Sequence, residues 1–331
     1  MTIQREIEKY LQTLQEDAKL CKVTPIQRLW AGYGKVYAAE TLISGVVHHW
    51  VVKYVSVPEA KADGSEGFLR KVRSYQVEGQ FYQQVVPGVT GLLQQRKAWI
   101  ADVCWIFMEP QRYSFVFVLS DLKRAFPVCK AVLGLDESRA ALRWLAGFHG
   151  TFWGEKPKEV WEQGSYWYLG TRRDEYDQMP VSGEFAALKD KAEEIDERIK
   201  SSKFLTVIHG DFKSANMFFG EASGDEMECC AFDFQYVGVS LGMRDVVKLF
   251  VSSLSAEILS THEDELRLLW YYHECLSEYI PEEYPFQQLC KDYELCLLDY
   301  YRFLLGWSLW GHNLDFATKR VREIMNTQNW L

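Results

Sequence analysis

The sequence predicts an α+β protein with a small N-terminal lobe built on an antiparallel sheet and a larger, mainly helical C-terminal lobe. Residues 26–57 are rich in Val, Tyr and Trp and are interrupted by glycine, which is typical of strands joined by tight turns. Beyond the polar break at Ser120-Asp121, apolar residues mostly recur at helical spacing. We therefore predict two domains, residues 1–120 and residues 121–331.

The N-terminal lobe begins with a predicted helix over residues 4–20. Four apolar residues recur on one of its faces: Ile7, Tyr10, Leu11 and Leu14. The run from Trp50 to Val55 predicts a strand with a single lysine, Lys53, among apolar neighbours. A turn-rich loop over residues 58–67 separates this strand from the next helix.

That next helix and two strands complete the predicted N-terminal lobe. The pattern is helical from Phe68 to Val86, and this helix carries Glu78. Two strand-like runs follow, from Ala98 to Met108 and from Phe115 to Leu119. The second run ends at the polar break that we take as the domain boundary.

Helices dominate the predicted C-terminal lobe. Asp136 is expected to cap a helix that continues through His149. A second amphipathic helix is marked by apolar residues at helical spacing: Phe185, Leu188, Ala192, Ile195 and Ile199. Two short strand-like runs, residues 204–208 and 229–232, lie further along the chain, and each leads into a polar motif.

The composition fits a folded protein that does not bind nucleic acid. The chain has 331 residues, of which 48% are hydrophobic and 15% aromatic, so it can bury a substantial core. Its formal net charge of -9 argues against a sequence-independent nucleic-acid binder, which needs a basic surface to neutralise phosphates. We therefore expect no nucleic-acid partner.

No pattern in the sequence predicts a membrane segment or a structural zinc site. The N-terminus lacks the apolar core of a signal peptide, and no later segment has about 18 uninterrupted apolar residues. The eight cysteines are scattered, with no CxxC pair and no histidine spacing typical of zinc. We expect a soluble, cytoplasmic protein with reduced cysteines and no membrane span, and we leave its oligomeric state open.

Two polar motifs carry the functional prediction: Val207-Ile208-His209-Gly210-Asp211-Phe212-Lys213-Ser214-Ala215-Asn216 and Ala231-Phe232-Asp233-Phe234-Gln235. Phosphoryl transfer needs an acidic residue for the attacking hydroxyl, oxygen ligands for Mg²⁺ and a cation beside the moving phosphate. Asp211 would accept the hydroxyl hydrogen bond, Asn216 and Asp233 would bind the metal, and Lys213 would face the phosphate of ATP. Asp and Asn also cap turns, so neither Asp211 nor Asn216 carries this prediction alone.

The segments HGDFKSANMFF and AFDFQ resemble the aminoglycoside phosphotransferase and choline kinase-like group of small-molecule kinases, and the DFQ form is most similar to its ecdysteroid-kinase-like branch. The similarity extends upstream through Leu145-Ala146-Gly147-Phe148-His149 and Trp153, and covers roughly residues 25–250. It implies a two-lobed protein-kinase-like fold with a ligand-binding cleft. The implied activity is an ATP- and Mg²⁺-dependent transfer of phosphate to the hydroxyl group of a small molecule.

The resemblance also implies roles for individual residues. Lys53 would bind the α- and β-phosphates of ATP and pair with Glu78. Asp211 would be the catalytic base, and Asn216 and Asp233 would bind Mg²⁺.

Further roles in the same resemblance concern support and nucleotide contacts. Asp245 would support the catalytic loop from below, while His209 would brace the loop and His149 would lie in the core. Gly32 and Gly34, in Ala31-Gly32-Tyr33-Gly34, would form a phosphate-covering turn, although the third glycine of that motif is missing. A hinge segment would hydrogen-bond adenine through its backbone: Leu119, Ser120, Asp121 and Leu122.

The acceptor is predicted only as a class of compounds. Aromatic and acidic residues are dense between Trp270 and Trp310, and such side chains can bind an amine or a quaternary ammonium ion. An amine-bearing alcohol or an amino sugar would fit, and an apolar alcohol such as a sterol would suit the same pocket. Aromatic residues at helical spacing are also typical of a protein core, among them Tyr300, Phe303, Trp307 and Trp310.

Other functions stay open at this point. A pseudokinase usually lacks one of the residues Asp211, Asn216 and Asp233, and none is missing. A metallohydrolase built on His209 and Asp211 would need further clustered histidines or carboxylates. Position 213 is lysine, as in serine/threonine protein kinases, yet Asp233 and Asp245 are only twelve positions apart and no APE motif lies between them. That interval leaves no room for the activation segment of a protein kinase.

Overall fold

The computed structural model describes residues 5, 7, 8, 12, 18–29, 32–58, 62, 64–221 and 226–327. The chain divides into two compact units. The first comprises Met1–Pro87 and Ile100–Arg124, and the second comprises Gly88–Trp99 and Ala125–Leu331. The segment Gly88–Trp99 is thus grouped with the later part of the chain, while the domain boundary between residues 120 and 121 stays a prediction.

The first unit contains a five-stranded antiparallel sheet with the strand order β1-β2-β3-β5-β4. Its strands are β1 (Lys19–Arg28), β2 (Gly34–Ile43), β3 (Val46–Ser56), β4 (Val103–Glu109) and β5 (Ser114–Ser120). Helix α1 (Glu66–Gln80) follows β3 and continues into a π-helical turn (Phe81–Val85) and a 3₁₀ turn (Val86–Gly88). Alternating side chains of β3 and β5, among them Val52, Val116 and Val118, are buried in the core of this sheet.

The register of the sheet and the start of α1 position two predicted site residues. Lys53 lies on the central strand β3, between β2 and β5. Helix α1 begins after Ser65, whose hydroxyl accepts a hydrogen bond of 3.2 Å from the Phe68 N–H. This cap satisfies one of the unpaired N–H groups of the first turn and fixes where the helix starts. Glu78, further along the same helix, is buried.

The predicted N-terminal helix over residues 4–20 is too long. Arg5, Ile7, Glu8 and Gln12 are helical. The remaining apolar residues on which the prediction depended, Tyr10, Leu11 and Leu14, lie outside the described residues. Lys19 and Leu20 belong to β1, where they pair with Leu42 and Thr41 of β2. Backbone pairing with a neighbouring strand overrides the local helical pattern there.

The second unit combines helices with two small antiparallel sheets. The helices are α2 (Thr90–Gln95), α3 (Leu135–Thr151), α4 (Arg173–Asp177), α5 (Ala187–Asp190), α6 (Ala192–Lys200), α7 (Met243–Ser253), α8 (His262–Ser277), α9 (Phe286–Trp307) and α10 (Leu314–Met325). The sheets pair β6 (Leu205–Ile208) with β9 (Gly238–Leu241), and β7 (Met217–Glu221) with β8 (Met227–Ala231). The predicted α+β class is therefore confirmed.

Several predicted boundaries in both units are wrong. Helix α3 begins at Leu135 after Gly134, so Asp136 lies inside the first turn; the Gly134 N–H donates instead to the Glu137 Oε2 at 3.0 Å. The single helix predicted over residues 185–199 is two helices, which are separated by a turn at Lys191. The strand predicted from Ala98 begins at Val103.

No helix in the described part of the chain is both long enough and apolar enough to cross a membrane.

Candidate active site

The loop that follows β6 is shaped by a glycine that no other residue could replace without movement. Strand β6 ends at Ile208, opposite Gly238 of β9. Gly210 then adopts a φ of 83°, and a Cβ atom on it would lie 2.1 Å from the Tyr236 carbonyl oxygen. The next residue, Asp211, is thus placed by a backbone turn that requires glycine.

Asp245 supports this loop from helix α7. Its carboxylate accepts hydrogen bonds from the N–H groups of His209 at 2.6 Å and Gly210 at 2.9 Å. The His149 Nε2 lies 3.3 Å from the same carboxylate, and the His149 Nδ1 lies 2.8 Å from the Tyr272 hydroxyl. All three groups on Asp245 are buried, so this carboxylate satisfies polar groups that water does not reach.

Replacing Asp245 by alanine is expected to destabilise the fold. The buried N–H groups of His209 and Gly210 would lose their acceptor, and each unsatisfied buried group costs about 1–3 kcal/mol, so the free energy of unfolding should fall by roughly 2–6 kcal/mol. Urea denaturation measures this change. The exposed Asp190 gives a matched control, since Asp190→Ala should change stability by less than about 0.5 kcal/mol. Equal effects of the two substitutions would contradict the supporting role.

The two carboxylate oxygens of Asp211 differ in their hydrogen bonding. Its Oδ2 accepts hydrogen bonds from the Lys213 Nζ at 2.7 Å and from the Asn216 Nδ2 at 3.2 Å. Its Oδ1 is buried and has no hydrogen-bond partner among the described residues. The Lys248 Nζ is 3.7 Å from this oxygen, close enough for an ion pair but too far for a direct hydrogen bond. The Oδ1 atom is therefore an unused acceptor in a water-poor position.

The β7–β8 hairpin brings the two predicted metal ligands together. Asn216 ends a 3₁₀ turn immediately before β7, and its carbonyl oxygen accepts a hydrogen bond of 3.1 Å from the Phe232 N–H. Asp233 follows Phe232 directly, so Asn216 and Asp233 lie at the same end of the hairpin. Asp233 has a φ of 72°, an uncommon value for a residue other than glycine, and its Oδ1 accepts a hydrogen bond of 2.6 Å from Gln235. Such backbone strain is concentrated at functional sites.

Lys213 is held as a cation by the carboxylates around it. Burial by itself lowers the pKa of a lysine, but the charge and hydrogen bond of Asp211, together with the charge of Asp233, more than offset this effect and raise the pKa of Lys213. The influence of Asp233 on Lys213 places both motifs in one electrostatic neighbourhood. The structure therefore brings together Asp211, Lys213, Asn216 and Asp233.

Lys248 is a further charged residue beside Asp211, and the sequence analysis missed it. It lies on α7 and its side chain is completely buried. The Nζ donates to the hydroxyl groups of Tyr166 at 2.9 Å and Tyr300 at 3.1 Å. Burial lowers the pKa of Lys248 to about 7, although Asp211 acts in the opposite direction. A lysine between Val247 and Leu249, one helical turn after Asp245 in a helix that is entirely buried, was the available signal.

The lowered pKa of Lys248 predicts a pH-dependent stability. Between pH 7 and pH 10.5 the unfolded chain keeps a proton on Lys248 that the folded protein releases, so the free energy of unfolding should rise with pH, by at most about 1.4 kcal/mol per pH unit. Lys248→Met removes the titrating group. The difference in unfolding free energy between parent and variant, measured in urea from pH 6 to pH 9, should be flat below pH 7 and rise above it. A flat difference throughout would contradict the shift.

In the first unit, Lys53 and Glu78 form a buried ion pair. The Lys53 Nζ and the Glu78 Oε2 are 2.7 Å apart, and the two residues are 7% and 1% exposed. A buried pair of this kind needs good geometry, because both charges lose their hydration. The structure thus pairs the two residues as expected, while their contact with a nucleotide stays a proposal.

Gly32 lies in the turn between β1 and β2, and Gly34 is the first residue of β2. The Gly32 N–H donates to the Leu29 carbonyl oxygen at 3.1 Å, and the Leu29 N–H donates to the Gly34 carbonyl oxygen at 2.9 Å. A Cβ atom at Gly34 would lie 2.0 Å from the Tyr54 carbonyl oxygen, so this position requires glycine for packing alone. Ala31, in the same predicted motif, lies outside the described residues. The phosphate-covering role of this turn stays a prediction.

The predicted hinge segment lies at the end of β5. Leu119 and Ser120 belong to the strand, and Leu122 begins a 3₁₀ turn, Leu122–Arg124. The Ser120 N–H donates to the Asp102 carbonyl oxygen at 2.9 Å, and the Asp121 N–H donates to the His49 carbonyl oxygen at 3.3 Å. These two N–H groups are engaged within the unit, and the predicted adenine contact is untested.

Much of the aromatic and acidic region is protein core. Tyr293, Tyr300 and Tyr301 are buried on α9. Asp299 is also fully buried and is bound by Arg244 at 3.0 Å and Arg302 at 2.7 Å. Burial alone would raise the pKa of Asp299, but the two guanidinium groups lower it. Asp299 is therefore an internal ion-pair partner.

The described residues contain no cluster of three or more His, Cys, Asp or Glu side chains with metal-site geometry. A Mg²⁺ ion does not require such a cluster, because it commonly takes one or two protein oxygens and completes its shell with phosphate and water. The pair of Asn216 and Asp233 at the end of the hairpin has that composition.

Three solved structures are similar to this chain over most of its length. A point mutant of the aminoglycoside 2'-phosphotransferase-IIIa, solved as a GDP complex, shares 15% identity, covers 97% of this chain and 95% of its own, and has a TM-score of 0.49. An ethanolamine kinase from Plasmodium vivax shares 12% identity, covers 93% and 81%, and also has a TM-score of 0.49. A choline kinase from Cryptosporidium parvum Iowa II shares 9% identity, covers 96% and 93%, and has a TM-score of 0.53.

The similarity to the choline kinase shows that this chain has the fold of that enzyme. The predicted protein-kinase-like fold is therefore confirmed, and with it the resemblance to the aminoglycoside phosphotransferase and choline kinase-like group at the level of fold. At this low identity a shared fold says nothing about the substrate.

A family model described as "Uncharacterized oxidoreductase dhs-27" matches residues 182–309, and this family is related to the ecdysteroid-kinase-like group. No curated protein is significantly similar to the chain. The common dinucleotide-binding fold of oxidoreductases is built on a mostly parallel sheet. In the part of the chain that the structure describes, every pair of neighbouring strands in the three sheets is antiparallel.

Proposed function

We propose that this protein is an ATP- and Mg²⁺-dependent phosphotransferase that moves the γ-phosphate to the hydroxyl group of a small molecule. The observation that carries the proposal is the Oδ1 of Asp211. It is a buried carboxylate oxygen that has no hydrogen-bond donor among the described residues, and it lies in the same neighbourhood as Lys213, Asn216 and Asp233. A buried acceptor without a donor is unfavourable, so a bound hydroxyl group would stabilise the site.

Asp211 would orient and deprotonate this acceptor hydroxyl. The hydroxyl group donates to the Asp211 Oδ1, and its oxygen attacks the γ-phosphorus in line with the bond to the β-phosphate oxygen. The O–H bond breaks and its proton passes to Asp211, while the new O–P bond forms and ADP leaves. Lys213, held as a cation beside Asp211, would lie next to the phosphate oxygens on which negative charge accumulates.

The residues at the end of the β7–β8 hairpin fit a magnesium ion. The Asn216 Nδ2 donates to the carbonyl and carboxylate oxygens of Asp211, which leaves the Asn216 amide oxygen as its ligating atom. Asp233 supplies a carboxylate, the hard oxygen ligand that Mg²⁺ prefers. When bound, the ion neutralises charge on the β- and γ-phosphates. The role of the Asn216 and Asp233 side chains would be to hold the magnesium ion in place.

The first unit would contribute nucleotide contacts under the same proposal. Lys53, oriented by Glu78 through their 2.7 Å contact, would bind the α- and β-phosphates. Gly32 and Gly34 would cover the phosphates, and the backbone at Leu122 would lie near the adenine. These roles follow from the resemblance in fold and sequence motif.

A small molecule is a better acceptor than a protein chain for a geometric reason. Between Asp233 and Asp245 the chain forms only a turn, the four-residue strand β9 and the start of α7. Protein kinases place the peptide-docking activation segment in this interval. A catalytically inactive nucleotide-binding protein is the second candidate, and turnover distinguishes it from the enzyme.

The direct test is an incubation of the purified protein with γ-labelled ATP, Mg²⁺ and a pool of metabolites, with mass spectrometry of the labelled product. The pool contains amines, amino sugars, sterols and acidic alcohols. We expect one class of hydroxyl compound to be labelled, and only when Mg²⁺ is present. Tight binding of ATP without a labelled product from a broad pool would favour the inactive nucleotide-binding protein.

A further inference from the structure

Three aromatic rings surround the ammonium group of Lys248. The Nζ lies 4.0 Å from the ring centroid of Trp310, 4.9 Å from that of Tyr166 and 5.2 Å from that of Tyr300. We call these three rings the aromatic box. Cations bind favourably over such ring faces, and a box of this kind is what a quaternary ammonium ligand requires. Here the cation inside the box belongs to the protein.

The chain between α9 and α10 is tied to α7, which holds the box together. The Asn313 Nδ2 donates to the carbonyl oxygens of Phe250 at 3.0 Å and Leu254 at 2.8 Å. A Cβ atom at Gly311 would lie 2.6 Å from the Val251 carbonyl oxygen, so the backbone passes close to the helix next to Trp310. These contacts are built into the fold, and Trp310 is therefore positioned over Lys248 in the absence of any ligand.

The carboxylates and rings near the aromatic box are already in contact with cations of the protein, so they are not available to bind an external cation. Lys213 occupies the Oδ2 of Asp211, and Lys248 lies beside its Oδ1. The Arg172 guanidinium lies 5.3 Å from the ring centroid of Trp307 and donates to Glu175 at 2.8 Å. Each acidic side chain and each ring in this set already has a cationic neighbour from the protein itself.

We infer that Lys248 is an internal cation that fills the aromatic box beside Asp211, and that the acceptor alcohol therefore carries no positive charge near its reacting hydroxyl group. The inference rests on the proposed function and narrows its acceptor from amine-bearing to neutral or acidic alcohols. Lys248 is a residue that determines specificity and not a catalytic one, because its Nζ is engaged by the Tyr166 and Tyr300 hydroxyl groups and by the ring of Trp310. It acts by occupying the rings and, below about pH 7, where it keeps its proton, by adding positive charge next to Asp211.

The first experiment tests the aromatic box by ligand binding and does not depend on enzymatic activity. Lys248→Ala removes a fragment with the size and charge of the n-propylammonium ion. We expect n-propylammonium chloride to raise the melting temperature of Lys248→Ala by about 2–4 °C in a saturable way. Propan-1-ol, which lacks the charge, should raise it much less. The parent protein and Lys248→Met, in which the side chain still fills the box, should respond to neither compound.

An equal response of Lys248→Ala to the ion and to the alcohol would overturn the cation box. If Lys248→Ala is recovered unfolded, the readout becomes refolding in the presence of the ion. Refolding with propylammonium but not with propanol supports the box. If neither compound refolds Lys248→Ala while Lys248→Met folds normally, the cation box is overturned.

The second experiment compares acceptors that differ in charge. Choline and 3,3-dimethylbutan-1-ol have the same shape, and only choline is a cation. With γ-labelled ATP, we expect the parent protein to label the neutral alcohol at least about tenfold faster, and Lys248→Ala to narrow this difference. The acceptors found in the metabolite pool should likewise be neutral or acidic.

The outcomes separate the inference from the proposed function. Faster labelling of choline, or of an amino sugar, by the parent protein would overturn the inference and leave the phosphotransferase intact. No labelling of any compound would overturn the phosphotransferase and, with it, the inference about the acceptor. The propylammonium response would still decide whether Lys248 occupies a cation-binding box.

Discussion

Asp211→Asn is expected to lower the rate of phosphate transfer by about 10²–10⁴-fold while leaving the binding of Mg·ATP largely unchanged. The amide has nearly the shape of the carboxylate, but it is a poor proton acceptor and carries no charge to hold Lys213. The proposed metal ligands, Asn216 and Asp233, keep their side chains. A steady-state assay with γ-labelled ATP and the identified acceptor measures the rate, and fluorescence titration measures nucleotide binding.

Asp190→Asn, at an exposed position of α5, is the matched control and should transfer phosphate at the parent rate. Asp211→Asn removes the carboxylate that faces Lys213 and Lys248 and is expected to lower the free energy of unfolding, so circular dichroism in the assay buffer checks that both variants are folded under the conditions of the rate measurement. Transfer at the parent rate by Asp211→Asn would show that another group is the base.

The sequence predicted the parts of this structure that depend on short-range patterns. The strands around Lys53 are apolar and β-branched, and the motifs from His209 to Asn216 and from Ala231 to Gln235 are each contiguous. A contiguous motif has its geometry fixed largely by local backbone turns, such as the turn at Gly210. For that reason the grouping of Asp211, Lys213 and Asn216 could be expected before the fold was known.

Features that depend on distant partners were missed. Lys248 contacts Asp211, Tyr166 and Trp310, which are far apart in the chain, and nothing in the local pattern shows which ring a buried lysine will meet. The strand at Lys19 likewise depends on pairing with Leu42, which lies in another strand. Helical periodicity alone could not separate these cases.

The half-buried Lys213 and the buried Lys248, both beside Asp211, differ in how their surroundings shift their pKa values. Lys213 is held protonated beside the proposed base, whereas burial shifts the pKa of Lys248 down to about 7. Near neutral pH, Lys213 is therefore the fully charged neighbour of Asp211, whereas Lys248 is partly neutral.

Asp233→Asn is expected to weaken the Mg²⁺-dependent part of ATP binding by roughly 10–100-fold. The loss corresponds to about 1.5–3 kcal/mol for an interaction with a charged group, at 1.4 kcal/mol for each factor of ten. Asparagine suits this position, because it tolerates a φ of 72° better than most residues and so keeps the backbone as it is. The measurement is the dissociation constant of ATP by calorimetry, with Mg²⁺ and with EDTA.

Asp233→Ala complements this variant, because alanine removes both the charge and the side-chain acceptor of Gln235 and also strains the backbone at a positive φ. If metal binding depends on the carboxylate, both variants should lose the same Mg²⁺-dependent affinity, although Asp233→Ala alone should lower the unfolding midpoint. If Asp233→Ala lost Mg²⁺-dependent affinity for ATP and Asp233→Asn did not, the role of Asp233 would be to support the local backbone. If both variants bound Mg·ATP as tightly as the parent protein, Asp233 would not be a metal ligand. Asn216 would then have no carboxylate partner for the metal at the end of the hairpin.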